Sequence, residues 1–535
     1  MSSAAASEFE GVSTLPALLD HAALRYGSLN AIEDGRVFTY TELAAAVREA
    51  AKAFIAHGVL RGERVAIWAP NGWRWIVAAL GLQSAGAVLV PLNTRFKGRE
   101  AGYILRKSRV RLLFTVDRFL GIDYRELLRG ERLPDLEETW LLADGGGADG
   151  WDGFLTSGHG LDSSALEERL RQIDAEDYSD ILFTSGTTGN PKGVPTTHRQ
   201  NLRTYEIYTR VMGLSAGDRY LIVNPFFNTF GYKAGWLSAL MRGATVLPHA
   251  VFDAAEILQR IERDRISVLP GPPTLYQSLL GLPGVEQYDL ASLRLATTGS
   301  STVPTELVRR MKADLGFKTV LTAYGMTETS GVISMCSPAD DVETVASTSG
   351  RPIDGVEVRV IDEAGSEAPP GRPGEILVRG FNIMQGYFED PQESARTLDG
   401  EGWLHTGDIG VVDGRGYIRI TDRKKDMFIV GGFNCYPAEI ENVLLSHPDI
   451  LQAAVIGIPD ARLGEVAKAY VIPRPGAALS PEAIIDWARA QMANYKVPRA
   501  VELRAALPLN ASGKVQKFLL KNDAAPCGSP PPGAL

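Results

Sequence analysis

Cysteine is scarce in this chain: three residues in 535, at Cys336, Cys435 and Cys527. They lie far apart and share no ligand spacing. That excludes a disulfide framework and a structural zinc site, and it fits a reducing compartment such as the cytoplasm. The seven histidines form no H-E-x-x-H and no cluster with cysteine, so a zinc hydrolase of that kind lacks ligands. Long apolar runs are missing as well. The candidate Trp75–Pro91 is broken by Gly81, Gln83, Ser84 and Gly86 and reads as a core helix and strand, with no membrane span expected. The first ten residues have neither a basic start nor an apolar core, so no signal peptide is expected. Positive charge is in deficit, 55 Lys and Arg against 64 Asp and Glu, net −9. That balance argues against broad nucleic-acid binding. Internal repeats and heptads are absent.

What is present has the balance of a globular protein, 45% hydrophobic and 22% charged. A chain this long exceeds one compact core, so at least two domains are expected. Periodicity predicts helices over 16–30 and 40–57, strand Arg64–Trp68, helix 72–85 and strand Ala87–Val90. Further strands are expected at 112–115, 180–183, 219–223, 244–247, 267–269 and 319–321. This alternation implies an α/β fold: a large N-terminal domain of α/β layers with mostly parallel sheets. Between Val356 and Ile420, short alternating strands such as Val356–Ile361 and Gly374–Arg379 predict a small antiparallel, barrel-like subdomain. After Arg423, helix 437–446, strands 453–457 and 467–473 and helix 481–493 predict a small mobile α+β domain. The expected division is 1–424, 425–520 and a flexible tail at 521–535, rich in proline and glycine. The oligomeric state is open, a homodimer included.

The strongest chemical signal is Asp180-Ile-Leu-Phe-Thr-Ser-Gly-Thr-Thr-Gly-Asn-Pro-Lys-Gly193. A buried-strand run opens into four hydroxyl residues (Thr184, Ser185, Thr187, Thr188), three glycines (Gly186, Gly189, Gly193) and Lys192. Glycine lets backbone N–H groups approach a ligand closely, hydroxyls donate and the lysine supplies charge, so the loop reads as a polyphosphate cradle. It is not G-x-x-x-x-G-K-[ST]. Two other matches are set aside. Gly213-Leu-Ser-Ala-Gly217 follows a helix and precedes a turn, unlike a nucleophile elbow. Gly145-Gly-Gly-Ala-Asp-Gly150 is not expected to open a helix.

The order of the Thr184–Gly193 loop resembles the signature loop of the adenylate-forming superfamily, which includes acyl-CoA synthetases. Further motifs follow in order as far as Lys514, and the resemblance covers nearly the whole chain. Ala323-Tyr-Gly-Met-Thr-Glu328 follows the strand at 319–321, at a carboxyl end where open α/β sheets bind ligands. The resemblance implies that Tyr324 lies on adenine, with Gly325 and Met326 beside it. It also implies that Thr327 meets the α-phosphate and Glu328 holds Mg²⁺. Mg²⁺ suits one or two carboxylates plus phosphate oxygens. Ala296-Thr-Thr-Gly-Ser-Ser301 resembles the adenine and acyl-pocket segment, through Gly299 and Ser300; Ser300 and Ser301 replace the commoner Gly-Ala. Asp408 and Arg423, with Ile420 near them, match the residues holding the ribose diol, for which a carboxylate and a cationic fork are well suited. Lys425 matches the hinge between two half-reactions. Gly431 and Gly432 match the pantetheine channel, while Cys435 reads as packing. Pro437 opens a helix, with Glu439 and Glu441 in its first turn. Lys514 matches the ammonium that bridges carboxylate and α-phosphate, where a positioned cation stabilises shifting charge.

One departure stands out. Asn224-Pro-Phe-Phe-Asn-Thr-Phe-Gly-Tyr-Lys-Ala-Gly235 resembles the aromatic gate segment, yet Asn228 holds the position usually given to a ring. Phe227 or Phe230 is a candidate to compensate. The resemblance places Tyr232, Lys233 and Gly331 with Asn228 along the acyl and CoA tunnel. Gly235, Gly299 and Gly331 are expected to leave room for a fused ring. Residues 224–235, Leu269–Ser278 and Leu321–Gly325 look most like actinobacterial ligases for a steroid-ring remnant carrying a propanoate.

The implied activity is ATP-dependent activation of a bulky steroid- or terpenoid-derived acid to acyl-AMP, then transfer to CoA, with Mg²⁺. Catalysis would rest on Thr184, Lys192, Glu328 and Lys514. The alternatives are an adenylating enzyme that serves a carrier protein or partner ligase, and a medium- or long-chain fatty acyl-CoA ligase.

Overall fold

The computed structural model describes residues 9–143, 147–184, 191–299, 303–423, 426–430, 433–460, 462–492, 494–510 and 515–524. The strands, in chain order, begin with the hairpin β1 (Asn30–Glu33) and β2 (Val37–Thr39). Next come β3 (Arg64–Trp68), β4 (Val88–Pro91), β5 (Leu112–Thr115), a ribbon of β6 (Arg118–Phe119) and β7 (Ile122–Asp123), β8 (Glu138–Leu141), β9 (Tyr178–Thr184) and β10 (Lys192–Thr197). One sheet runs in the order β10-β9-β4-β3-β5-β8, parallel except for β9 with β10. Its central strands are buried along their length because layers cover both faces, which is why Val65–Trp68 and Leu112–Phe114 read as unbroken apolar runs.

A second sheet is built from β11 (Arg219–Ile222), β12 (Thr245–Pro248), β13 (Leu295–Gly299), β14 (Thr319–Tyr324), β15 (Ser334–Met335) and β16 (Arg351–Pro352), with β1 and β2 at its other edge. The strand expected over 267–269 contracts to one bridging residue. Val268 pairs with Tyr220 on one side and Leu295 on the other, joining the two halves of this sheet. Four antiparallel strands follow, β17 (Val356–Ile361), β18 (Gly374–Gly380), β19 (Leu404–Val412) and β20 (Ile418–Arg423). Their inner face, Ile376, Val378, Leu404 and Ile418, joins the main core.

The last sheet contains β21 (Phe428–Val430), β22 (Phe433–Cys435), β23 (Ile450–Asp460), β24 (Gly464–Pro473) and β25 (Ala500–Leu503). It has cores of its own. Phe428, Ile440, Leu444, Val455 and Val471 pack on one side, and Ile456, Tyr470, Leu507 and Leu520 on the other. Each such side chain contributes about 1.5–3 kcal/mol on burial. The fold is therefore α/β layers, a small antiparallel sheet and a C-terminal α+β unit.

Local chemistry sets the elements that matter for the site. Thr197 and Gln200 form a capping box that opens the helix His198–Met212 directly after β10, and Gly213 closes it at φ +69°. That cap explains why Gly213-Leu-Ser-Ala-Gly217 is a helix end and loop. The other rejected match needs correcting: a two-turn helix, Trp151–Ser157, does follow Gly150. It forms because Trp151 and Phe154 bury in the core. Among the described residues, no helix is long and apolar enough to cross a membrane.

Candidate active site

Strands β9 and β10 form an antiparallel hairpin with Thr184 opposite Lys192 and Asp180 opposite Thr196. Its tip holds Ser185, Gly186, Thr187, Thr188 and Gly189, which lie outside the described residues; Thr184 and Lys192 mark its two shoulders. Thr184 Oγ1 donates to the Lys192 carbonyl at 3.4 Å. The Lys192 ammonium pairs with Glu393 and lies 5.0 Å from the centre of the Tyr387 ring. Both members of that pair are about a quarter exposed, 28% and 25%. Lys192 and Arg396 hold the Glu393 carboxyl below its usual range.

The turn after β14 carries Gly325, Met326, Thr327 and Glu328. Glu328 is buried, and the Tyr387 hydroxyl donates to its Oε1 at 2.9 Å. Burial, and then the Glu328 carboxylate, push the Tyr387 phenol far above its ordinary range, so it remains a donor. The turn is strained and well held. Ser330 sits at φ +53° and Gly331 at φ +100°. Tyr205 donates to the Ser330 carbonyl at 2.9 Å, and Ser330 Oγ to the Asn382 carbonyl at 2.9 Å. At the end of β14, the Tyr324 hydroxyl donates to Asp408 Oδ2 at 2.7 Å. Asp408 is itself opposite Arg423 across β19 and β20, with Ile420 half-buried in β20. The two motifs expected to hold adenine and ribose are thus in direct contact.

Sequence reasoning missed the stretch that joins these parts. Asn382–Phe388 lies across both motifs: Met384 N donates to the Glu328 carbonyl at 2.9 Å and Phe388 N to the Gly193 carbonyl at 2.8 Å. Asn382, fully buried, donates to the carbonyls of Thr329 and Val332 at 3.2 and 2.6 Å. Tyr387 is thereby set between Glu328 and Lys192. The available signal was the turn Met384-Gln-Gly-Tyr-Phe388 after a strand, which carries no chemistry until its neighbours are known.

The gate segment is fastened by Asn71. Its Nδ2 donates to the carbonyls of Ile222, Asn224 and His249 at 3.3, 3.0 and 3.0 Å, and its Oδ1 accepts from Phe226 N at 2.8 Å. Asn228 caps the helical turn Thr229–Gly231, its Oδ1 accepting from Gly231 N at 3.0 Å. Asparagine is among the best residues for that role, which gives a local reason for the missing ring. The chain continues as a π-helical stretch, Tyr232–Leu237, interrupted at Gly235 (φ −87°, ψ −107°), and then Ser238–Met241. Tyr232 and Lys233 are wholly buried. Tyr232 OH accepts from Gln83 Nε2 at 2.9 Å, and Lys233 Nζ lies 2.8 Å from Asp180 Oδ1. Their polar ends are engaged in the core.

The room expected at three glycines is taken up by protein. A Cβ on Gly299 would stand 2.4 Å from the Ala323 carbonyl of the next strand. On Gly331 it would stand 2.2 Å from Thr229 Cγ2, and on Gly235 3.2 Å from the Phe230 carbonyl. These glycines serve close backbone packing. Ser300, Lys425, Gly431, Gly432 and Lys514 lie outside the described residues, and the Arg423 side chain is not described. Cys336 and Cys435 are buried thiols, each pushed up to about 11 chiefly by that burial, so neither is poised as a nucleophile.

The chain is similar to known proteins over nearly its whole length. The family model described as AMP-binding enzyme matches residues 19–388, and the AMP-binding enzyme C-terminal domain matches 439–514. Two relatives share the printed name 3-[(3aS,4S,7aS)-7a-methyl-1,5-dioxo-octahydro-1H-inden-4-yl]propanoyl:CoA ligase. The one from Rhodococcus jostii (strain RHA1) is 45% identical over 96% of this chain and 99% of its own length. The one from Mycobacterium tuberculosis (strain ATCC 25618 / H37Rv) is 48% identical over 95% and 98%. Among solved structures, the anthranilate CoA ligase AuaEII in complex with anthranoyl-AMP superposes with a TM-score of 0.84 at 29% identity, over 96% of this chain and 97% of that one. ATP-bound MatB from Rhodopseudomonas palustris gives 0.82 at 28% identity, over 96% and 98%. A hairpin shouldered by Thr184 and Lys192, a buried Glu328 beside it, Tyr324 on Asp408, and full-length likeness to acyl-CoA ligases lead to one conclusion: this chain belongs to the AMP-binding enzyme family and is an AMP-forming acid–CoA ligase.

Proposed function

We propose that the acid is a bulky bicyclic, steroid- or terpenoid-derived propanoate, which is converted to its acyl-AMP with release of pyrophosphate and then to its CoA thioester. The observation that carries this reading is the 45–48% identity, over nearly the whole chain, to two ligases named for such an acid. The site supports the chemistry. Lys192, with the glycine and hydroxyl loop, would hold the outer phosphates, and Tyr324 the adenine. Thr327 would meet the α-phosphate, and Asp408 with Arg423 the ribose diol. Among the described residues no group of three or more His, Cys, Asp or Glu side chains could cage a metal. The buried Glu328 fits Mg²⁺, which takes one or two carboxylates and completes its shell with phosphate oxygens and water. When bound, that ion would neutralise charge on the phosphates. Lys514 would stabilise the junction between carboxylate and α-phosphate. Lys425 would be the pivot on which residues 425–520 turn from adenylation to thioester formation, with Gly431 and Gly432 lining the thiol's path.

A pyrophosphate-release assay over a panel of acids, with and without CoA and with mass detection of acyl-AMP and acyl-CoA, tests the reading. A fused-ring propanoate should exceed palmitate in kcat/KM by at least about tenfold, since each well-buried CH₂ contributes about 0.8 kcal/mol. A preference for palmitate would overturn the acid class. Acyl-AMP that accumulates in the presence of CoA would transfer the second step to a carrier or partner ligase. Lys514→Ala should lower adenylation by about 10²–10³, and normal acyl-AMP formation in that variant would remove the lysine from its role.

A further inference from the structure

Beneath the phosphate hairpin lies a buried polar cluster that neither half-reaction uses directly. Asp180 and Lys233 are both wholly inaccessible to solvent, and their charged atoms are 2.8 Å apart. Lys233 Nζ also donates to Thr196 Oγ1 at 3.0 Å, and Thr196 stands opposite Asp180 in the hairpin. The second oxygen of Asp180 accepts from Ser179 Oγ at 2.8 Å and from Asn201 Nδ2 at 2.7 Å. One ammonium therefore grips both strands of the hairpin at its foot, while the tip of that hairpin is the phosphate loop.

Lys233 belongs to a different element. It lies on the first turn of the π-helical stretch Tyr232–Leu237, just after Asn228 and the turn it caps. π-Helical turns are rare and concentrate at functional sites. This one also contains the kink at Gly235. The helical turn just before it, Thr229–Gly231, meets the turn after Glu328, where Thr229 packs so closely on Gly331 that a Cβ there would stand 2.2 Å from Thr229 Cγ2. The helical segment from Thr229 onward thus touches both the foot of the phosphate hairpin and the turn that carries Glu328.

Stability alone does not account for this pair. Two charges withdrawn from water lose much of their mutual attraction to desolvation, and well-packed apolar residues commonly replace such pairs without loss. Such a pair does fix the distance and direction between the two groups it joins.

We propose that Lys233 is a positioning residue that locks the gate helix to the foot of the phosphate hairpin, so that nucleotide held at the tip orders the helix carrying position 228. The inference rests on ATP being the nucleotide bound at the hairpin and is independent of which acid is used. It goes beyond the tunnel-lining role implied by resemblance, because the lysine acts from the core.

The test is hydrogen exchange of the amides in 228–241, with and without saturating Mg·ATP and no acid, with saturation fixed by calorimetry. In the unmodified protein ATP should slow exchange there about fivefold or more, the low end of ordinary coupling between sites. In the apolar pair Lys233→Met/Asp180→Leu the slowing should vanish. A merely structural pair would speed exchange equally in both states and leave the ratio intact. Slowing retained in the double variant overturns the proposal, as does ATP binding to the unmodified protein without slowing. Failure of the unmodified protein to bind ATP would instead overturn the adenylating reading, and the proposal with it. Should the double variant not fold, Thr196→Val decides the matter by deleting only the hydroxyl on which the ammonium rests. Reduced slowing supports the lock, and full slowing overturns it.

Discussion

Two lysines at one hairpin, Lys192 on its shoulder and Lys233 packed against its foot, meet carboxylates in opposite surroundings. Lys192 pairs with Glu393 at the solvent-facing rim of the site, each about a quarter exposed, whereas Lys233 pairs with Asp180 in the core with no exposure at all. The same two chemical groups therefore do different work. At the rim, water screens the pair and offers each partner an alternative, so under the proposed function a phosphate would replace Glu393 at little cost. In the core no alternative exists, and the pair fixes geometry. Exposure, more than residue type, separates a ligand-exchanging lysine from a positioning one.

The comparison breaks first on the buried side. Asp180→Ala leaves an ammonium without its carboxylate in the core and should destabilise the protein by about 3–5 kcal/mol. Urea denaturation measures it, and a loss below about 1 kcal/mol would show that water reaches the pair.

The next largest effect is a pH dependence confined to the same region. His198, the first residue of the helix that follows β10, is buried, its Nδ1 accepting from Leu15 N at 3.2 Å. Burial lowers its pKa from 6.5 to about 4, against the opposing pull of Asp180 and Asp177. The unfolded chain then binds the proton more readily than the folded protein. This contribution is therefore complete above pH 6.5 and is lost as pH falls toward 4, on the order of 3 kcal/mol in all. His198→Asn, whose amide oxygen can stand in for Nδ1, should flatten that slope. An unchanged slope would assign the acid sensitivity to other groups.

On the rim, effects shrink and move from stability to kinetics. Tyr387→Phe removes the donor to Glu328 Oε1 while keeping the ring beneath Lys192. A hydrogen bond to a charged group is worth about 1.5–3 kcal/mol, so kcat/KM for ATP should fall roughly tenfold or more, with little change in melting temperature. An unchanged value would mean that Tyr387 only fills space. The smallest effect is expected from Glu393→Gln. Freed from its resting partner, Lys192 should bind ATP more readily, and KM for ATP should drop roughly threefold, since a competing state reduces apparent affinity by its own population. A rise in KM would show that Glu393 holds Lys192 in place for the phosphate.

Much of the fold and of the nucleotide site was legible along the chain. Strand boundaries at Arg64–Trp68, 112–115 and Val356–Ile361 were read as they stand, because strands buried on both faces read as apolar runs and half-buried ones alternate. The phosphate loop and Ala323–Glu328 could be recognised because each packs its chemistry into a few consecutive residues. The asparagine at 228 stood out along the chain, but the turn it caps is visible only in the structure.

What the amino-acid sequence by itself determined, then, is much of the succession of elements and the contiguous motifs: the strand at 180–183 that runs into a glycine and hydroxyl loop with Lys192, and Ala323–Glu328 after the strand at 319–321. These follow from periods and spacings within reach of one strand or one turn. Only the tertiary structure decided that Tyr387 bridges Lys192 and Glu328, that Tyr324 rests on Asp408, that Lys233 faces Asp180, and that Gly299 and Gly331 make way for protein. Each of those contacts joins residues brought together by sheet order and by the packing of a shared core. That packing is settled by many side chains burying at once, so no local stretch of sequence specifies it.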